Sequence, residues 1–596
     1  MRSTLALRSV LLVLASACAS SPAPVRTPLI VVPATEPREQ TADQQVQQVL
    51  NRLGFGARPG DVARVRAVGV DQWIALQLAP DRIDDQTADA LVASYDGLRR
   101  PTSELVAMYV EGQQAIRQLQ QQAVQRGDSS DRKDMRAEAL REDPRLRERL
   151  RQSQRVVGDV QSAKLARAVA SERQLQEVMA DFWSNHFTVF AGKGQTRLYI
   201  PAYERDVIRP NALGRFRDLL GGVAKSPAML FYLDQWQSAV DSMHPSLAGQ
   251  RRPRQRGRGL NENYARELLE LHTLGVDAGY TQQDVIEVAR ALTGWTMNPR
   301  QGAEFTFRPE IHDAGRKLVL GHRLPAGRGI EDGEEVLDIL ARDPRTAHFI
   351  ARKLAIRFVS DAPPAALVER ASATFLRTDG DIREVVRTIV TSPEFFSHAA
   401  YRSKVKSPFE LVASALRAIG AEADTSMRSA QMVAFLGQPI YGHQAPNGWP
   451  ETGEAWMNTG AILNRINFGL GLAAGRLPNA TVAHWSESER LLGAPREEQV
   501  DAVVAAFLGG HASPDTRQIL LDGENPLMAK LAGVTDTVSM RDPGSMQEPA
   551  AMRDVAPAKN GQPRAAALRG LGQPVQLAGL AQVVGLAVGA PEFQRR

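Results

Sequence analysis

Four stretches of this chain carry side chains of the kinds that do chemistry. The first is Phe182-Trp183-Ser184-Asn185-His186-Phe187. Met179, Phe182, Trp183, His186, Phe187 and Phe190 recur at helical spacing, so His186 falls on an apolar helix face. An apolar wall depresses the imidazole pKa and keeps the ring neutral, as a general base or a metal ligand requires. The competing reading is a core histidine with one hydrogen-bonded partner.

The second stretch runs from Asn261 to Gly275. Glu262, Arg266 and Glu270 stand four apart, the spacing of a surface ion-pair ladder. Glu267 and His272 sit at the edge of the apolar face, a carboxylate and an imidazole of metal-binding type. Their separation of five residues takes them off one common helix face, so a metal there needs ligands from elsewhere. A capped amphipathic helix with a charged outer face is the alternative. Gly275 suits a C-cap, and Thr281 with Asp284 opens the next helix as a capping box.

The third stretch is His312-Asp313-Ala314-Gly315-Arg316-Lys317 with His322 close behind. A His-Asp pair orients an imidazole or ligates a cation, and Asp with Gly also simply makes turns. The fourth is a Gly/Pro-rich loop over 437–458, with His443, Asn447, Trp449 and Trp456 as ligand-binding candidates. Its tryptophans suit stacking on sugars or other flat groups, or packing of the loop onto the helices. The chain has no His-Glu-x-x-His zinc motif, EF-hand loop, phosphate-binding Gly-rich loop with Lys-Ser/Thr, Gly-x-Ser-x-Gly elbow or dinucleotide fingerprint. Kinases, α/β-hydrolases and nicotinamide enzymes of familiar type are thereby disfavoured.

The elements that must position these residues are mostly α-helical. Helical periodicity begins at Val46 and persists through most of the chain, predicting an irregular multi-helix bundle. Phe305-Thr306-Phe307 and Lys317-Leu318-Val319-Leu320 predict a small β-hairpin near 301–323. Residues 111–165 are rich in Gln, Arg, Glu and Asp and read as a protruding helical hairpin that turns at Asp128–Asp131 and restarts at Pro144. A basic loop is expected over 245–259, with five arginines in residues 251–258, and a low-complexity insertion over 535–575. The helical domain is expected to run over 45–596.

The N-terminus reads as an export signal. Basic Arg2 and Arg8 precede the apolar run Val10–Leu14 and the small residues Ala15-Ser16-Ala17, over an expected signal peptide 1–17. Cys18, the only cysteine among 596 residues, then resembles the acyl acceptor of a bacterial lipobox. Residues 18–44 follow as a flexible tether. Ala15-Ser16-Ala17 equally suits cleavage of a soluble periplasmic or secreted product. The apolar run is far shorter than the ~20 residues that span a bilayer. With one cysteine, no intrachain disulfide and no multi-cysteine zinc site can form. The net charge of +5 is small for this length, and export argues against a nucleic-acid partner.

Several segments together resemble the bacterial exported family called domain of unknown function 1800. They include NRLGFGARPGD (51–61), FWSNHFTVF (182–190), NENYARELLELHTLGVDAGYTQQDVIEVARALTGW (261–295), KVKSPFELVASALRAIGA (404–421) and GQPIYGHQAPNGWPETGEAWMN (437–458). The resemblance implies a mostly helical fold and no assigned catalytic residues. It also implies a co-encoded exported partner resembling sulfatases or phosphatases. Two expectations follow. One is an exported cell-envelope lipoprotein, lipidated at Cys18, that acts as a binding or assembly factor alongside another exported protein. The other is a hydrolase-like envelope enzyme with a divalent metal held by His186, Glu267, His272 and His312, with Asp313 at the same pocket.

Overall fold

Helix starts in this chain are written as caps. Thr41 and Gln44, Thr281 and Asp284, and Ser407 and Glu410 form reciprocal capping boxes. Asp343 and Ser407 each cap a helix whose first residue is proline, Pro344 and Pro408. Such a cap is worth about 1 kcal/mol, and proline is harmless where the N–H has no intrahelical partner. Gly275, at φ 94°, ends the 261–275 segment as expected of a C-cap.

The computed structural model describes residues 37–125, 144–241, 244–247, 259–300, 302–524 and 575–596. The expected signal peptide with Cys18, most of the tether, the turn at 128–131, the arginines of 251–258 and nearly all of the 535–575 insertion lie outside the described residues. Within them the chain is mostly α, from Ala42–Arg52 to Pro591–Gln594. No described helix is long and apolar enough to cross a membrane. The buried side chains form one continuous core cluster from Val46 to Phe593.

Three local features differ from the sequence reading. The first helix begins at Ala42, inside the expected tether, because Thr41 caps it and buried Gln40 is tied to the Ser397 carbonyl at 2.9 Å. The helices Thr102–Gln125 and Pro144–Ala170 pack on each other, as a hairpin would. The second does not protrude along its whole length, since Val156, Val160, Leu165 and Val169 are buried in the core. Finally, one hairpin becomes two. Trp295–Met297 pairs antiparallel with Phe305–Phe307, and Lys317–Val319 pairs with His322–Leu324.

The far end of the chain folds back onto its middle. The apolar helix Gly579–Gly589 packs on Thr459–Ala473, where a Cβ on Gly469 would lie 2.6 Å from the Gly585 carbonyl oxygen. Two small residues thus let the backbones approach. Beyond that helix, residues 594–596 pair with 404–406. Lys406 N donates to the Gln594 carbonyl at 2.9 Å, and Arg596 N donates to the Lys404 carbonyl at 2.9 Å. This pairing carries Arg596 into the interior.

Candidate functional site

Segments far apart in the chain meet around one small cavity. The helix Gln174–His186 contributes Asp181, Ser184 and Asn185. Pro344–Phe358 contributes Arg357, and Pro408–Ala418 contributes Phe409 and Glu410 from its capped first turn. Lys164 comes from the buried part of Pro144–Ala170, and Arg596 from the 594–596 pairing. The 437–458 loop closes the cavity with Gln438, Tyr441, Trp449, Glu451 and Trp456. The cavity is partly open and its volume is about 50 Å³, enough for a few waters or one small polar group.

Backbone conformation holds that loop in place. Gly448 has φ 71°, and a Cβ there would stand 2.3 Å from the Asn185 carbonyl oxygen, so glycine is required on both counts. Asn185 then reads the loop from both ends of its amide. It accepts from Trp449 N at 2.7 Å and donates to the Trp449 carbonyl at 2.9 Å and to Glu451 Oε1 at 3.2 Å. Tyr441 takes a left-handed backbone at φ 56°, a strained conformation for a non-glycine residue. Its hydroxyl donates to buried Glu204, and its carbonyl accepts from Ala191 N at 3.0 Å.

The walls are charged. Arg357 reaches Asp181 at 3.3 Å, Glu410 at 3.0 Å and Glu451 at 3.4 Å. Arg596 reaches Glu410 at 2.9 Å. Lys164 stands 3.4 Å from Asp181 and donates to the Ser184 hydroxyl. Burial pushes Glu410 up, but Arg596 and Arg357 outweigh it and hold the carboxyl down at about 2. For Asp181, burial wins over Lys164 and Arg357, and its carboxyl is raised.

Immediately behind the walls lie Lys404, Lys406, Arg465 and Arg52, with Asp361 beside Lys404 and Glu410 acting on Lys406, Arg465 and Arg52. Lys404 bonds Asp361 and the Glu451 carbonyl. Burial lowers Lys404 to about 8, with Arg596 adding to the effect, and lowers Lys406 to about 7 and Arg465 to about 10. Arg52 is also driven down by burial and by Arg596. Seven cationic side chains (Arg52, Lys164, Arg357, Lys404, Lys406, Arg465, Arg596) therefore face four carboxylates (Asp181, Asp361, Glu410, Glu451) in this region. Such desolvated positive charge is costly without partners.

The residues singled out from sequence divide between this site and two others. Of the ligand-binding candidates, Trp449 and Trp456 line the cavity. His443 packs on Trp449 at 4.6 Å between ring centres, while Asn447 is exposed. His186 lies next to the cavity residue Asn185 but turns into the core against Phe182, Trp183, Phe187 and Phe349. Lys353 Nζ donates to His186 Nδ1 at 2.9 Å, which leaves Nε2–H to donate to the His272 carbonyl at 3.2 Å. Both ring nitrogens are engaged, so no lone pair is left for a metal.

His272 sits in the π-helical turn Leu268–Thr273, its ring 6.3 Å from that of His186. Burial holds His272 down at about 3 and, with the Lys353 charge, drives His186 far below its usual range. Glu267, half-buried, is raised by burial and by Glu270. The expected ladder along this helix is not what forms. Arg266 and Glu262 both reach Gln282, each at 2.7 Å, and Glu270 reaches the Tyr280 hydroxyl at 3.3 Å.

His312 and Asp313 belong to a separate buried network beneath the hairpins. Asp313 pairs with Arg290 at 2.7 Å, and Arg290 with Glu287 at 2.9 Å. Lys317 pairs with Asp332 at 2.6 Å, and His312 Nδ1 donates to the Thr293 carbonyl at 2.6 Å. The carboxylate is thus spent on protein partners, while the imidazole keeps Nε2 buried without a hydrogen bond, 3.5 Å from Asp332 Oδ2. The five metal and catalytic candidates do not converge on one pocket. Among the described residues, no three His, Cys, Asp or Glu side chains are grouped to hold a metal ion.

Sequence reasoning missed Lys164, Asp181, Arg357, Glu410, Glu451 and Arg596. One signal was available in Pro408–Ala418, where Glu410 and Arg417 interrupt a mostly apolar run that is buried from Pro408 to Arg417. A charge kept on a buried face must have a partner, but the partner's address is tertiary.

A family described as "Protein of unknown function (DUF1800)" matches residues 48–595, nearly the whole chain. No curated protein and no solved structure matches it.

Proposed function

The chain belongs to this family of unknown function, and from that premise we propose that it is an exported cell-envelope protein that works by binding, with the charged cavity as its recognition site. One observation carries the reading. Segments 182–190, 404–421 and 437–458, distant in sequence, converge on a single small cavity whose ionised wall residues Arg357, Glu410 and Arg596 are buried. A fold gains little net stability from burying ion pairs that an apolar core could replace, so a function is the better account of them. Trp449, partly exposed at the loop, supplies a flat apolar surface for the body of the ligand.

Export and anchoring rest on the N-terminal sequence. Lipid on Cys18 would leave the helical body in the aqueous envelope beside another exported protein. Mass spectrometry of the mature N-terminus tests this, with an acylated Cys18 expected. An unmodified product, or localisation unchanged in Cys18→Ser, overturns the anchor.

For binding, ligand-observed NMR with envelope-derived peptides, sugar acids and headgroups should find a ligand whose signals respond to wild-type protein. The response should vanish with Asn185→Leu, provided that variant melts cooperatively. No hit in the screen, or an equal response from a folded Asn185→Leu variant, rejects the cavity as the recognition site. The metal-enzyme reading draws less support, because His186 and Asp313 have their polar atoms engaged by protein partners and, among the described residues, no three His, Cys, Asp or Glu side chains are grouped to hold a metal ion.

A further inference from the structure

We propose that the cavity takes a carboxylate group, the end of a larger ligand, between Arg357 and Arg596. This rests on the cavity being the recognition site and names the chemistry it selects. Arg357 and Arg596 are 3% and 4% exposed, and both line the cavity. Each keeps its Nε–H buried without a hydrogen-bond partner among the described residues. A buried guanidinium N–H left unmade costs about 1–3 kcal/mol or more, and the two residues that carry such groups both line this one small space, which favours an acceptor there. Two donors match the two oxygens of a carboxylate, and the planar guanidinium suits that planar group.

Charge points the same way. The region holds three more cationic side chains than carboxylates, and burial with mutual repulsion lowers Lys404 and Arg596. An incoming negative charge relieves both. A dianion is disfavoured, because Asp181, Glu410 and Glu451 already stand in the wall. A free volume of about 50 Å³ admits a small head group while the rest of the ligand lies outside, toward Trp449.

The test uses the full chain and three probes of one size: sodium propionate, propionamide and propylammonium chloride, at constant ionic strength. Propionate should raise Tm in a saturable way and bind about tenfold or more tighter than propionamide, since one charge-assisted hydrogen bond contributes at least that factor. Arg596→Gln should abolish the propionate response. Glu451→Gln, which removes a wall carboxylate, should strengthen it several-fold, and this variant carries the test if Arg596→Gln does not fold. Equal responses to propionate and propionamide, preference for propylammonium, or no strengthening in Glu451→Gln overturns the carboxylate assignment. In each of those cases binding at the cavity itself still stands. Silence from all three probes also overturns the assignment, and the Asn185→Leu experiment then decides separately whether the cavity binds anything.

Discussion

Arg357 and Arg596 meet on a single oxygen. Glu410 Oε1 forms ion pairs with Arg357 Nη1 at 3.0 Å and with Arg596 Nη2 at 2.9 Å, and Arg596 Nη1 donates to the Arg357 carbonyl at 3.3 Å. All three side chains are nearly inaccessible to solvent. One carboxylate therefore joins the Pro344–Phe358 helix, the Pro408–Ala418 helix and the end of the chain, and the cavity is built on that junction.

Removing the charge of Glu410 leaves two buried guanidinium groups short of a partner. Glu410→Gln should cost about 3–5 kcal/mol, the range for breaking a buried pair from one side. Urea titration of both proteins measures this, and a loss below about 1 kcal/mol would show that the junction does not hold the fold.

The same carboxylate shapes acid stability. Its pKa is about 2 in the folded protein, below the ~4.3 of an unfolded glutamate. The unfolded chain thus binds the proton first, and the stabilisation is fully present above pH ~4.3 and lost as pH falls toward 2. Wild type should lose stability over that window, and Glu410→Gln should lose about 3 kcal/mol less, as read from Tm against pH.

Lys406 acts in the opposite range. Burial lowers it to about 7, against ~10.4 when unfolded, and its ammonium lies 4.1 Å from the centre of the Phe593 ring. Between those values the unfolded state binds the extra proton, so this group's contribution to stability rises with pH. Lys406→Met should therefore stabilise the protein most at or below pH 7, and the advantage should shrink by up to about 1.4 kcal/mol per pH unit toward pH 10. A pH-independent difference would show that Lys406 is not desolvated.

Gly448→Ala should damage the site and only mildly affect the fold. The new methyl group would collide with the Asn185 carbonyl, and alanine is strained at φ 71°. Expected outcomes are a loss of about 1–3 kcal/mol and a red shift in tryptophan emission as Trp449 leaves its packing. Unchanged emission would place the loop's support elsewhere.

His186 and Lys353 should behave as a coupled pair. A double-mutant cycle with His186→Phe and Lys353→Met should give a coupling energy of about 0.5–3 kcal/mol, as for residues in direct hydrogen-bonded contact. EDTA should leave Tm unchanged if the imidazole nitrogens are engaged as the geometry shows. A chelator-induced fall in Tm would point to a metal.

Local features of this protein were determined by sequence alone. Apolar residues at helical spacing, the cap at Thr281 and the stop at Gly275 depend on neighbours within a few residues, and the helices stand there. The placing of His186 on a buried helix face was equally legible, and Trp449 and Trp456 of the 437–458 loop line the cavity. The partner of Trp295–Met297, in contrast, was set by strand pairing across a turn that periodicity does not encode.

The site itself was decided by tertiary structure. Lys164, Asp181, Arg357 and Arg596 are ordinary charged residues on separate helices or in the last residues, and nothing local distinguishes them from solvated ones; Glu410 alone stands in a locally apolar run. They become a site because the 594–596 pairing and the apolar contact of Gly579–Gly589 with Thr459–Ala473 bring them inside together. For the same reason His312 and Asp313, so suggestive side by side in the chain, belong to a buried network with Arg290 and Thr293. A charge shows its role only once burial has removed water as its partner, and burial is a property of the whole fold.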